Sequence, residues 1–318
     1  MVSIAQLIKL QDYISRYEWD TYRYPTQYIR LKNDNWKKLY QRWTDPETEN
    51  AKIDEVIPEF ESTKSRFAKI KNLVKKNKVI EQTEQPIERK ETITLPDTEE
   101  ELKQFFLNKL FSFQLKWATS TVTHISFVDE TYYRDSRLIY LLQRFPDTFL
   151  IMYHPIFNIK NAPMESEIIL ITPVGVEIIY IIEEKPDAVI MAGDERTWSI
   201  KYKTGESKML SPLIALKRTE KVVKSILHSY DIDDFVVKKT VLSKTNAVLF
   251  ATEPYQTKII DKDKYKRWFE ARRRLSSPLK NRQLKVAELL LRHCKSTSMR
   301  RPEWDEGGNP SMFVDLED

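Results

Sequence analysis

The spacing of apolar residues near the start of the chain is close to that of an amphipathic helix. These residues are Ile4, Leu7, Ile8, Leu10 and Ile14. The pattern predicts a first helix, a break near Pro25 and a second helix through Trp36. Residues 1–45 are also rich in Tyr and Trp. Such aromatic side chains can stack on nucleic-acid bases or pack a helical module against a protein neighbour, and we favour the second interpretation.

Two further helices are predicted before the first strands. Thr98 and Glu101 have the spacing of a capping box, and apolar residues at helical spacing follow from Leu102 to Trp117. The next helix is expected from Asp129 to Phe145, because Pro146 cannot continue it.

The hydrophobic pattern then changes to short runs rich in β-branched residues, which are typical of strands. The predicted strands are 148–153, 167–172, 176–182, 188–191 and 198–202. Two more, 235–242 and 246–250, are expected to return to the same sheet. Between them, Ser211 and Pro212 have the residue types of an N-cap and a first helical position. This order of elements predicts the α/β class, with a mixed central sheet flanked by helices and with helical appendages at both ends of the chain.

Composition and pattern together suggest four segments. Residues 1–45 form the aromatic helical segment, 46–96 a charged linker with a partial helix at 59–77, and 97–255 the α/β domain. Residues 256–318 form a basic helical segment that ends in a polar tail, which we expect to be disordered.

The counts of three residue types exclude several classes of protein. The chain has 5 Gly, 1 Cys and 4 His, which leaves no glycine fingerprint for a dinucleotide or P-loop fold, no disulfide and no zinc-finger spacing. The longest apolar stretch, 168–182, is interrupted by polar residues, and the first residues lack the apolar core of an export signal. We therefore expect a cytoplasmic protein with no membrane partner.

Positive charge is concentrated near the C-terminus. Residues 258–301 contain 15 Lys and Arg against 4 Asp and Glu, a local +11, so the rest of the chain sums to 5 − 11 = −6. A polyanion is one partner that such a segment suits, and a solvated helix surface is the alternative. The candidate nucleic-acid-binding residues are Lys264, Lys266, Arg267, Arg272, Arg273 and Arg274, with Trp268 or Phe269 available for stacking.

The segment from Glu165 to Leu227 resembles the nuclease-related domain (NERD) family of the restriction-endonuclease-like superfamily. The resemblance lies in ESEIILITPVGVEIIYII, which has an acidic residue, an apolar strand, a turn with Gly175 and a second apolar strand. It continues in Trp198 and in SPLIALKR, which is similar to the family's Asn-Pro-Leu helix opening. With flanking elements it covers roughly residues 97–255. The resemblance implies a restriction-endonuclease-like sheet and metal-dependent hydrolysis of phosphodiester bonds, with DNA as the favoured substrate.

Phosphodiester hydrolysis with a hard cation needs carboxylates that converge on Mg²⁺ and a lysine that orients water. The candidates here are Glu167 and Glu183 as metal ligands and Lys185 as the water-orienting cation, with Glu130 as a further acid. For residues 183–187 the alternative interpretation is a solvated turn between two strands. The alternative for Glu130 is an ordinary acid at a helix start.

This sequence departs from the family pattern at three places. Glu167 stands where the family has aspartate, and Tyr180 and Ile182 stand where its Glu and Lys usually follow the glycine. Ala215 stands where a glutamine is usual. Three hypotheses follow. The protein is a metal-dependent nuclease, a non-catalytic nucleic-acid-binding member of this family, or an interaction protein whose residues 1–45 dock a protein partner.

Overall fold

A computed structural model of the chain describes residues 3–45, 95–159, 162–275 and 277–301. The described residues within 3–27 and 114–301 form one compact unit, and those within 28–113 form a second. The helix expected at 59–77 and the polar tail beyond Arg301 fall outside these residues, as does nearly all of the expected linker.

Six α-helices lie in the described residues. They are α1 (Arg23–Thr44), α2 (Glu99–Thr119), α3 (Ser136–Arg144), α4 (Pro212–His228), α5 (Lys262–Arg273) and α6 (Asn281–Arg292). The strands are β1 (Gln6–Leu10), β2 (His124–Ile125), β3 (Leu150–Tyr153), β4 (Ile156–Ile159), β5 (Ala162–Glu165), β6 (Ile168–Thr172), β7 (Gly175–Ile181), β8 (Val189–Met191), β9 (Thr197–Tyr202), β10 (Gly205–Leu210), β11 (Val237–Leu242), β12 (Ala247–Leu249), β13 (Thr257–Ile260) and β14 (Met299–Arg300). None of the described helices has the length and apolar character needed to cross a bilayer.

A mixed six-stranded sheet, in the order β1-β3-β6-β7-β11-β13, forms the centre of the first unit. β3, β6 and β7 are antiparallel neighbours, with Ile168 opposite Ile179 in the β6–β7 hairpin. β7 runs parallel to β11, so a long connection has to join them, and it contains α4, which packs on both strands. The predicted α/β class with a mixed central sheet is confirmed.

The N-terminal residues differ from the prediction, because the stretch expected to be helical contains β1. All five residues of β1 are buried, and the strand pairs in parallel with β3. The side chain of Gln114 completes the pairing on the other edge, since its Oε1 accepts from Leu7 N (2.7 Å) and its Nε2 donates to Ala5 O (2.8 Å). A short, wholly buried segment with three apolar residues in five suits a strand as well as a helix, and the available sheet edge decided between them. The expected N-terminal helical appendage is wrong for these residues.

A second sheet has the order β10-β9-β8-β12. Residues 246–250 were expected to return to the central sheet, but β12 pairs with β8 in this smaller sheet. The place beside β11 is taken by β13, which the apolar pattern did not mark as a strand. The prediction was wrong here because a strand's own sequence does not specify its neighbour.

The helix starts agree with the capping signals in the sequence. Thr98 Oγ1 accepts from Glu101 N (3.3 Å) and donates to Glu101 Oε2 (2.9 Å), and Ser211 caps α4 with Pro212 at its first position. The helix expected over 129–145 is divided in two by Asp135, which caps α3 after a short 3₁₀ turn at Glu130–Arg134.

Aromatic residues from the N-terminal segment pack inside both units. In the second unit the rings of Trp36 and Phe106 lie 5.2 Å apart, and Trp43 Nε1 donates to Pro96 O (2.7 Å). In the first unit Tyr17 is buried against Trp117. These side chains therefore contribute to packing within each unit.

Gly175 and Gly205 provide a matched test of close packing at the hairpin. Their φ values are +159° and +156°, but a Cβ at Gly175 would lie 2.7 Å from the Val236 carbonyl oxygen, whereas a Cβ at Gly205 would meet nothing within 4 Å. We expect Gly175→Ala to lower the free energy of unfolding by about 1–3 kcal/mol more than Gly205→Ala, as measured by urea denaturation. Equal decreases in the two variants would show that the contact with Val236 is readily relieved.

Candidate functional site

A cavity of about 290 Å³ lies where β6 begins and β7 ends, and it contains Glu167. Its lining residues are Arg137, His154, Glu165, Ser166, Glu167, Ile168, Tyr180, Ile181 and Arg218. The antiparallel hairpin brings Glu167 and Tyr180 to the same edge, because Ile168 pairs with Ile179. Of the three catalytic candidates, Glu167 alone lines this cavity.

Glu167 is held by the start of the strand and by α4. Its backbone N–H donates to Thr219 Oγ1 (3.1 Å). Burial raises the pKa of the Glu167 carboxyl to about 7, and the neighbouring charge of Arg218 opposes that shift while Glu165 adds to it. A substantial share of this carboxyl is therefore neutral near pH 7.

Two arginines from different helices line the same cavity. Arg218 lies on α4 and donates from Nη2 to Glu165 O (3.2 Å), and Arg137 lies in the first turn of α3. Both side chains are exposed to solvent. Neither was singled out in the sequence, although Arg218 closes the SPLIALKR motif.

His154 and Ser166 form the inner part of the cavity. His154 has a left-handed backbone (φ 47°), and its Nδ1 lies 3.2 Å from Ser166 O. Nδ1 must donate there because a carbonyl oxygen only accepts, and burial lowers the pKa of the ring. Ser166 is buried, and its Oγ has no hydrogen-bond partner among the residues that the structure describes.

Glu183 and Lys185 lie in the loop that follows β7, and they do not line the Glu167 cavity. Asn246 holds this loop, since its Oδ1 accepts from Glu184 N (2.9 Å) and its Nδ2 donates to Lys185 O (2.8 Å). The Lys185 side chain is exposed. The loop therefore has the geometry of a hydrogen-bonded turn, the alternative stated for it above. Glu130 is exposed in its 3₁₀ turn and also lies outside the cavity lining.

The donor set does not fit a magnesium ion. Within the described ranges, no group of three or more His, Cys, Asp or Glu side chains is placed to hold a metal. At Glu167 the nearest opposite charge is a guanidinium, which takes the electrostatic role that a bound cation would have.

A second acidic residue, Glu177 in the middle of β7, binds α5 to the sheet. Arg272 donates to it from Nε (2.8 Å to Oε2) and Nη2 (2.5 Å to Oε1), and the guanidinium lies 4.1 Å from the centre of the Trp268 ring. Trp268 Nε1 (3.2 Å) and Thr240 Oγ1 (2.6 Å) donate to Oε1 as well. A carboxylate inside an otherwise apolar strand is the sequence signal that could have identified this pair.

The rest of α5 carries the predicted basic surface. Exposed side chains are found at Lys264, Lys266, Arg267, Arg273 and Arg274. Arg272 is instead paired with Glu177, and Trp268 is buried, so the stacking role considered for Trp268 is corrected. Phe269 is half-buried and packs on the ring of Tyr265 (5.8 Å).

Comparisons with known proteins do not assign the chain to a family. No family model matches it, and no solved structure matches it significantly. An RNA 2',3'-cyclic phosphodiesterase from Geobacillus stearothermophilus is 52% identical over 40 residues, which is 13% of this chain and 13% of that protein. The chain thus spans about an eighth of the relative's length, too little to show a shared family.

Replacing Glu177 tests the attachment of α5. Glu177→Gln should lower the free energy of unfolding by about 3–5 kcal/mol, because it leaves the Arg272 charge without a partner in a largely buried place. Glu270→Gln is the control on the same helix, since its pair with Arg274 is exposed and should contribute about 0–1 kcal/mol. Chemical denaturation measures both, and similar small decreases would contradict the structural role of Glu177.

The raised pKa of Glu167 predicts a pH-dependent stability. The folded state holds this proton more tightly than the unfolded chain, so the free energy of unfolding falls as pH rises from 4.5 to about 7. Glu167→Gln removes that decrease. The Tm of the variant should therefore increase relative to the Tm of the wild type at about pH 8, but not at about pH 4. Thermal melts at both pH values, with Glu165→Gln as the control for removing a nearby charge, test this. An equal Tm difference at both pH values would refute it.

Proposed function

We propose that this protein is a nuclease-like protein of nucleic-acid processing, with DNA as the favoured ligand, and that it binds rather than cuts. The observation that carries this proposal is the bidentate Arg272–Glu177 pair, which fixes α5 on the sheet. The other cations of that helix are then exposed to solvent on a helix attached to the sheet.

The charge of the outer surface of α5 suits a phosphate backbone. Its exposed cations, at 262, 264, 266, 267 and 273, outnumber the acids on the same helix, Asp263 and Glu270, and the exposed Arg274 follows directly after the helix. Lys266 and Arg267 have no ion pair with any described residue. Lysines and arginines that contact phosphates release counterions, and this sequence-independent contribution dominates non-specific affinity.

The fold supports a restriction-endonuclease-like relationship. An acidic residue precedes the β6–β7 hairpin, Gly175 closes the turn, and α4 begins at Ser211–Pro212 before the chain returns as β11 parallel to β7. The resemblance to the nuclease-related domain family implies this order of elements. This support covers the architecture and not the catalytic residues. Tyr180 lines the cavity at a position where that family has a carboxylate.

The Glu167 cavity favours binding over hydrolysis. Glu167 has a guanidinium beside it, and the other two catalytic candidates lie in a turn outside the cavity lining. A metal-dependent nuclease with Glu167, Glu183 and Lys185 remains the alternative, and it requires the loop after β7 to rearrange.

A charge-removal series on α5 tests the proposal. Lys266→Gln/Arg267→Gln/Arg273→Gln should weaken binding to duplex DNA and reduce the slope of log affinity against log salt by about 0.9 for each phosphate that is no longer neutralised. Lys116→Gln/Lys208→Gln/Lys221→Gln removes the same charge from exposed positions elsewhere in the first unit and is the matched control. Fluorescence anisotropy over a salt series measures both.

Equally weakened binding in the two triple variants would show that net charge alone, and not α5, determines binding. The same preparations, incubated with DNA and Mg²⁺ or Mn²⁺, should leave the DNA intact. Cleavage that disappears in Glu183→Gln would contradict the binding-only proposal and restore the nuclease alternative.

A further inference from the structure

Ser166 forms part of the wall of the Glu167 cavity, and the residue is 1% exposed. Its Oγ is buried from solvent and makes no hydrogen bond to any described residue. A hydroxyl that water cannot contact is not available to a ligand in the cavity. The groups that can bind a ligand there are therefore the exposed side chains of the lining.

Two guanidinium groups reach the same cavity from outside. Arg218 uses one nitrogen on the Glu165 carbonyl, which leaves its other N–H groups available. Arg137 makes its hydrogen bond to Asp135 through the backbone N, and its side chain has no hydrogen bond or ion pair to another described residue. A guanidinium presents a planar fork of donors that matches the oxygens of a phosphate. The two exposed forks thus line one space.

The size and charge of the cavity limit the ligand. About 290 Å³ is at the lower end of small-molecule sites, so the space admits one phosphate with a short attached group. Glu165 and Glu167 also face it, together with Tyr180 and His154. Because these carboxyls oppose an anion, a ligand needs both arginines to bind.

We propose that this cavity binds a phosphate monoester through Arg137 and Arg218, without a metal ion. The terminal phosphate of a nucleic acid and a small free phosphate share this chemistry. The inference goes beyond the proposed function, because it does not depend on DNA binding by α5.

Inorganic phosphate is the first probe, titrated into the full-length protein by calorimetry, with sulfate as a second oxyanion that does not titrate near neutral pH. Arg218→Gln should weaken phosphate binding by about tenfold or more, because it removes charge-assisted hydrogen bonds. Ser166→Ala should leave both phosphate binding and Tm unchanged, since the hydroxyl is buried from the cavity and has no partner to lose. Glu167→Gln, which removes a negative charge at constant shape, should strengthen binding at about pH 8.

Lys217→Gln is the matched control, because Lys217 is an exposed cation next to Arg218 on α4 that pairs with Glu195 outside the cavity lining. It should bind phosphate as the wild type does. Failure of the wild type to bind phosphate or sulfate at millimolar concentration would overturn the proposal. So would equal affinity in the wild type and in a folded Arg218→Gln variant.

Oligonucleotides with and without a 5'-phosphate separate the two sources of the ligand. Tighter binding of the phosphorylated strand that disappears in Arg218→Gln would assign the site to nucleic-acid ends. Inorganic phosphate binding with no such preference would assign it to a small phosphate. The α5 triple variant should retain phosphate binding. Its DNA binding therefore tests the proposed function, whereas phosphate binding by Arg218→Gln tests the cavity, and either proposal can fail without the other.

Discussion

The carboxylate of Glu177 is the interaction on which the described arrangement of α5 depends. It lies inside a buried strand, where an unpaired charge is strongly unfavourable, and donors from Thr240, Trp268 and Arg272 surround it. Trp268 is the only buried residue among those of α5, so apolar burial alone gives this charged helix a small attachment surface. The Arg272–Glu177 ion pair supplies the rest of the attachment. It directs Arg272 inward and leaves the other cations of α5 in solvent.

Glu167 lies just before β6, and Glu177 lies in β7 of the same hairpin. Their roles differ because the fold brings a different cation to each. Glu177 receives a bidentate guanidinium in a buried setting. Glu167 receives the nearby charge of an exposed arginine, and burial raises its pKa. A nuclease-type metal site needs several ionised carboxylates together, whereas this cavity combines carboxyls with guanidinium groups. Its chemistry therefore favours an oxyanion.

Local signals predicted much of the fold, because they act within a few residues. The capping box at Thr98, the Ser211–Pro212 start of α4 and the β-branched runs of β6 and β7 all lie where the pattern indicated. The candidate site was predicted less well. Glu167 does line a cavity, but its neighbours Arg137, His154 and Arg218 come from three separate segments, and no spacing along the chain relates them.

The amino-acid sequence by itself determined the α/β fold class, the hairpin around Gly175, the helix starts and the basic character of the C-terminal segment. It could do so because propensity, capping and charge are local properties. Tertiary structure alone decided that residues 6–10 form a strand, that β12 leaves the central sheet, and that Arg272 turns inward while its neighbours remain exposed. These outcomes depend on which distant groups are available as partners. A sheet edge or a buried carboxylate acquires its partner only when the chain has folded.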